Sequence, residues 1–372
     1  MYLDAGGRAP IHPAAREALL AAMDDGWADP RRLHSEGRRA RYLLDGARAE
    51  IAEALSCRVE EVHLTAGHTA SLHGAVLAAA AGRRRVGGSV VTSAVERAAV
   101  LAAARHVDPG TRPVPVDGDA RVDLDAWSQA VAQPGVALAA LQQANGEVGT
   151  RQPVQAAHEA CLGSGVPLLV DAGASVGHDL VGAQWDLLAA DPADWGAPAG
   201  IGVLAVRSRV RTRPVVPEDE DPWAPGGVGV PQALAAAAAL RAVLGDRSEA
   251  ADRRFALVAR LREALAALPD VAVLGDPVDR LPHVLTFSCL FVDGESLVDA
   301  LDRRGFAVGS GSACTSSTLE PSHVLAAMGA LTHGNVRIAL PREVTGEDVD
   351  RFAAAVGPAV EAVRSMLGAG GL

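Results

Sequence analysis

Between residues 61 and 208 the chain alternates short apolar or β-branched runs with helical patterns, and that order leaves few folds open. EVHLTA (61–66), SVVTSA (89–94), ALAALQQ (137–143), PLLVDAG (167–173) and GVLAVRS (202–208) read as strands. TASLHGAVLAAAAG, VERAAVLAAARH and QPVQAAHEACLGSG fall between them as helices. Strand, helix and strand again predict a mostly parallel sheet covered on both faces. HPAAREALLAAM (12–23) and RYLLDGARAEIAEAL (41–55) precede it as amphipathic helices with their charges on one face.

Composition changes at RTRPVVPEDEDPWAPGGVGVPQ (211–232), where Pro, Gly and acid predict a long loop. An Ala/Leu helix near 231–245 follows, then the helix DRRFALVARLREALAAL (252–268). After these come VAVLGD, HVLTFSCLFV, ESLVDALDRRG and a last helix, DVDRFAAAVGPAVEAVRSML. A chain of 372 residues exceeds one small core. We divide it into a large domain, 16–245, and a smaller α/β domain made of 1–15 plus 246–372. No internal repeat is present.

The formal net charge of −11 gives no electrostatic footprint for nucleic acid or an anionic membrane. The run Arg83-Arg84-Arg85 is short and reads as a solvated loop. No uncharged apolar stretch reaches the length of a bilayer span, and MYLDAGGRAP has neither a basic leader nor an apolar core. The expected location is therefore the cytoplasm, with reduced cysteines. Cys57 and Cys161 have helix-like surroundings and Cys289 a strand-like one, the settings of small buried hydrophobes. All 34 basic residues counted as Lys or Arg are arginine. A codon bias towards Arg and Ala accounts for most of that, but arginine is too basic to act as an amine nucleophile.

Two stretches carry chemistry. In VGSGSACTSSTLEPSHVLAAMG (308–329), glycines and serines flank Cys314, a setting that keeps a thiol exposed; the same residues also suit a polar linker. In DPADWGAPAGIGVLAV (191–206), a turn-rich segment runs into an apolar strand, a common way to hold an active-site residue at a strand edge. Asp191 and Asp194, with Asp171, can split their pKa values as catalytic carboxylates do, or can be solvated loop acids. No His-x-x-His or Cys/His spacing marks a dedicated transition-metal site.

Ser310-Gly-Ser-Ala-Cys314-Thr-Ser, followed by Leu319-Glu-Pro-Ser322, resembles the active-site loop of the cysteine desulfurases, pyridoxal-phosphate (PLP) enzymes whose loop cysteine removes sulfur as a persulfide. The resemblance runs along essentially the whole chain. Tyr2-Leu3-Asp4 is similar to the family's opening, and Asp29-Pro30 with His34 and Gly37 to its Asn-Pro-Ser-Ser-x-His-x-x-Gly. Asn145-Gly-Glu147-Val-Gly149 is similar to Asn-Asn-Glu-Ile-Gly, and Val170-Asp171-Ala172 with Ser175-Val-Gly177 to Val-Asp-Ala-x-Gln-Ser-x-Gly. Asn335-Val-Arg337-Ile is similar to the segment whose arginine clamps the substrate carboxylate. The resemblance implies an α/β fold of the PLP-dependent transferase class (fold type I, class V aminotransferase), normally a homodimer.

It also implies roles. Asp171 matches the acid facing the pyridine nitrogen, Asn145 a contact to the ring edge, and Thr69 a phosphate contact at a helix start. Other positions depart from the pattern. Asp191-Pro-Ala-Asp194 stands where the family has Ser-x-His-Lys, so Asp194 replaces the Schiff-base lysine and Asp191 lies near the phosphate position. Arg97 stands for the ring-stacking histidine, Ala174 for a glutamine, and Gly227 for the threonine that crosses the dimer. The expectation is a chain that binds no PLP covalently and acts through Cys314, as persulfide carrier or as ligand to a shared iron–sulfur cluster. Its partners would be a sulfur acceptor, an iron–sulfur scaffold or an active desulfurase paralogue. Two alternatives stand beside it: a structural or regulatory pseudoenzyme, and an enzyme repurposed around Asp191 and Asp194.

Overall fold

The computed structural model describes residues 1–217, 221–310 and 321–366. Six short strands build the main sheet: β1 (Val62–Thr65), β2 (Ser89–Thr92), β3 (Val136–Gln142), β4 (Leu168–Asp171), β5 (Leu187–Ala190) and β6 (Gly202–Val206). Their spatial order is β1-β6-β5-β4-β3-β2. β2 to β5 pair in parallel, whereas β6 runs antiparallel to both β5 and β1. Every residue of β3 to β6 is buried, as a sheet covered on both faces requires.

One face is covered by α3 (His68–Gly82) and α4 (Ala98–Val107) through Leu72, Val76, Val100 and Ala104. The other carries α1 (Pro13–Asp25), α2 (Ser35–Ala54), α5 (Leu124–Val131), α6 (Val154–Ser164) and α7 (Val230–Gly245). Two of these elements escape the sequence pattern. β5 is four residues of Leu and Ala with no β-branched side chain, and α5 is an eight-residue helix. The start of α5 is fixed by Asp123, which accepts from the N–H groups of Asp125 and Ala126.

A second core forms around the antiparallel sheet β7 (Val271–Leu274), β8 (Val284–Cys289) and β9 (Asn335–Ala339). It is packed by α8 (Arg247–Ala266), α9 (Gly294–Asp302) and α11 (Gly346–Met366), while α10 (His323–Ala327) joins a smaller cluster with Val95 and Val148. Leu3 is buried in the second core with Met1 packed against it, Ala5 joins a smaller cluster with Val284 and Ala339, and backbone hydrogen bonds tie Leu3 to Ala307 and Ala5 to Ala339. Ala15, by contrast, sits in the larger core, because the chain has crossed over by then and begins α1. Cys161 and Cys289 are buried and Cys57 is half-buried. Burial pushes their thiols up, to about 12, about 12 and about 11.

Candidate active-site cleft

His68, Arg97, Asn145, Asp171 and Asp191 all lie within a few residues of the carboxyl ends of β1 to β5, where open α/β sheets place their ligands. Asp171 ends β4 and is buried. Its Oδ1 lies 2.8 Å from His68 Nε2 and accepts the Gly173 N–H at 2.9 Å. Its Oδ2 accepts from Arg97 Nε at 3.2 Å. Burial alone would raise this carboxyl, but the His68 and Arg97 charges outweigh it and hold Asp171 well below the usual carboxylate range. Facing ionised Asp171, His68 Nε2 carries a proton, while Nδ1 is buried and makes no hydrogen bond among the described residues. The glycine at 173 permits this contact, since a Cβ there would come within 2.6 Å of His68 Nε2.

His68 is the functional candidate that sequence reasoning missed. A histidine in the first turn of a helix, directly after a glycine, was the available signal. Thr69 beside it is exposed at the start of α3, where Gly67 gives no side-chain cap.

Asp191 follows β5; its carboxylate accepts the Ala193 N–H at 3.1 Å, and burial raises its pKa, with the Asp194 charge adding to the rise. Asp194 itself is 0% exposed. Its Oδ1 accepts the Gly7 N–H, and its Oδ2 lies 3.1 Å from His178 Nε2. Arg254 Nη1 lies 3.1 Å from His178 Nδ1. A guanidinium only donates, so Nδ1 accepts and Nε2 carries the proton, which it donates to the Asp194 main-chain carbonyl at 3.0 Å. His283 stacks on His178 with centroids 4.0 Å apart; burial foremost, with the Arg254 and Arg342 charges adding to it, pushes its pKa far down, so it is neutral.

His178, Asp194 and His283 bring potential ligand atoms within 4.8 Å of one another. A metal there would need a lone pair from His178, yet both its ring nitrogens are engaged and Arg254 sets a positive charge against it. The group is a hydrogen-bonded lock.

The remaining expected residues divide. Asn145 spends its side chain locally: Oδ1 accepts the N–H groups of Glu147 and Val148, and Nδ2 donates to Val95 O. Glu147, pushed up to about 7 by burial, accepts the Ser322 hydroxyl at 2.9 Å. Glu96, next to Arg97, is raised by burial to about 8 while accepting from Ser93 and from the Gln142 N–H. Arg337 pairs with Asp4, Nη2 to Oδ1 2.7 Å. Cys314 lies outside the described residues.

The chain and its fold have counterparts. The class-V aminotransferase family model matches residues 1–352. A cysteine desulfurase of Cereibacter sphaeroides is 33% identical, with 98% of this chain and 97% of that protein covered. Cysteine desulfurase IscS 1 of Archaeoglobus fulgidus is 31% identical over 98% of each. Among solved structures, a NifS-like protein superposes with a TM-score of 0.89 at 24% identity, covering 96% of this chain and 98% of that one. With fold and whole-length likeness in agreement, the chain belongs to the class-V aminotransferase family and is a homologue of the cysteine desulfurases.

Proposed function

We propose that this chain handles sulfur through Cys314 and does not carry PLP as a Schiff base. Covalent attachment needs a side-chain amine, and the chain has no lysine. The observation that carries the reading is that the cleft is filled by the chain's own groups. Both Asp171 oxygens, which would face a pyridine nitrogen, are engaged by His68, Gly173 and Arg97. Asp194, at the lysine position, is closed in against Gly7 and His178. Asp191 adds a carboxyl where a phosphate dianion would lie. These residues do not fit the cofactor, so no step is routed through it.

What remains is thiol chemistry. The Cys314 thiolate attacks the outer sulfur of an incoming persulfide; the sulfur–sulfur bond breaks, the donor leaves as a thiolate, and Cys314 keeps the sulfur with no net oxidation. Soft-metal ligation to a shared iron–sulfur cluster uses the same thiolate. Such a protein would work as a homodimer beside a sulfur donor and an acceptor or scaffold.

The test has two arms. Incubation with PLP followed by borohydride should fix no pyridoxyl group beyond the N-terminal amine. A persulfide donor should add one sulfur atom to the intact chain and none to Cys314→Ser. Sulfur delivery that is unchanged by Cys314→Ser overturns the reading.

A second reading, a regulatory pseudoenzyme paired with an active paralogue, draws on a surface. Trp27, Leu33 and Tyr42 are 70%, 87% and 79% exposed, close together in sequence ahead of and along α2. Mass measurement of complexes captured with that paralogue separates it from a strict homodimer.

A further inference from the structure

Asp171 is met by a ring that the chain supplies itself. His68 comes from the first turn of α3, just after β1, and reaches the end of β4 across the intervening strands β6 and β5. Its side chain is buried, and its Nε2 lies 2.8 Å from Asp171 Oδ1. A flat ring with one N–H against a buried, ionised carboxylate is also what a bound nitrogen heterocycle would offer this acid.

The aim of the imidazole is fixed by the backbone beneath it. Thr65 Oγ1 donates to Gly67 O at 2.9 Å and lies 2.8 Å from Ser71 Oγ, with both side chains buried. The same turn is pressed onto β6, where a Cβ at Gly202 would come within 2.4 Å of the Gly67 carbonyl carbon. At the receiving end, a Cβ at Gly173 would crowd His68 Nε2 at 2.6 Å and Asp171 Oδ1 at 3.0 Å. Arg97 Nε takes the second Asp171 oxygen at 3.2 Å, so the acid is balanced without any ligand.

We propose that His68 is an internal plug occupying a latent heterocycle site on Asp171, and that removing its imidazole opens this site to a free ring carrying an N–H. The inference rests on the reading that the chain holds no Schiff-base cofactor, and it goes further. A missing lysine bars attachment, whereas the plug bars the ring itself. Cys314 plays no part in it, so sulfur loading tests the first reading and heterocycle binding tests this one. Truncating a buried side chain leaves a cavity that can take a small molecule of matching shape. Here the cavity would also hold an acid left with one oxygen short of a partner, which favours a ring that donates.

The test is calorimetric titration of imidazole at neutral pH into the full chain, His68→Ala, and His68→Ala combined with Asp171→Asn. Circular dichroism checks each for folding, and thermal unfolding is followed with and without imidazole. His68→Ala should bind imidazole with a Kd on the order of millimolar, as befits so small a ligand, and its Tm should rise as the site fills. Binding to the unmodified chain and to the double variant should be at least about tenfold weaker. Thiophene, a ring of similar size with no N–H, should bind His68→Ala no better than it binds the unmodified chain. His68→Ser opens the site with another side chain and serves if His68→Ala folds poorly. Four outcomes overturn the proposal: equal imidazole affinity in the unmodified chain, no binding to a folded opened variant, binding that survives Asp171→Asn, or thiophene binding that matches imidazole.

Discussion

Asp171 and Asp194 share one cleft, and each has a histidine and an arginine as company, yet their surroundings differ in kind. Asp171 touches its cation directly: Arg97 is 3.2 Å away with its side chain 38% exposed, and His68 and Gly173 fill the other oxygen. Among the described residues no arginine pairs with Asp194; the guanidinium of fully buried Arg254 stands one imidazole ring away, beyond His178. The first acid is neutralised at the water's edge, where charge is screened. The second relies on one peptide N–H and on the nearby His178 ring in the interior, where a missing partner is costly.

The comparison breaks most plainly at Asp194. Asp194→Ala strands the Gly7 N–H and removes the carboxylate that balances the buried Arg254 charge. It should cost about 3–5 kcal/mol, while the His178 proton stays on the residue's backbone carbonyl. Asp194→Asn, which keeps an acceptor for Gly7, should cost less. Urea unfolding at neutral pH measures both, and a loss below about 1 kcal/mol for Asp194→Ala would show that the lock is not built as described.

A smaller effect should appear with pH beside Asp171. Burial raises Glu96 from its ordinary 4.5 to about 8. Its folded pKa exceeds its unfolded one, so its contribution is complete below pH 4.5 and drains away as pH rises towards 8. Glu147, raised to about 7, adds a shorter fall of the same sign. Glu96→Gln should remove on the order of 1–3 kcal/mol of that decline, seen by comparing unfolding at pH 5 and pH 8.5. A parallel decline in parent and variant would assign the pH dependence elsewhere.

Next comes His68→Ala, which leaves Asp171 Oδ1 with only the Gly173 N–H and should cost about 1–3 kcal/mol. Arg97→Ala should be the mildest, about 1 kcal/mol or less, because water takes the place of a half-exposed guanidinium. Should Arg97→Ala exceed His68→Ala in the same unfolding series, the account of where the Asp171 charge is balanced would have to be reversed.

The two halves of the cleft were unequally legible beforehand. Asp171 and Arg97 stand next to strand ends that periodicity locates, Asp191 was reached only through the turn-rich segment it opens, and Asp194 stood out through the absence of lysine. The partners of Asp194 did not. His178, Arg254 and His283 come from three places in the chain that no local pattern links, and their contacts exist only once the two cores close on each other. His68 was hidden differently: the strand before it and the helix it opens were read correctly, but nothing local aims its ring at Asp171. The sheet emerged well except for β5, where four Leu and Ala residues lack the branched side chains that distinguish a strand from a short helix. Asn145 shows the reverse limit, for its motif matched while its side chain serves the turn around it.

The stitching of the first residues has a bearing on how the molecule is made. Residues 1–5 leave the ribosome long before Ala307 and Ala339, the backbone partners they hydrogen-bond. They must wait, unpaired, until nearly all the chain has been synthesised, and contacts of such long sequence separation close late. The larger core can assemble during translation, whereas residues 1–5 find their place only once residue 339 has been made.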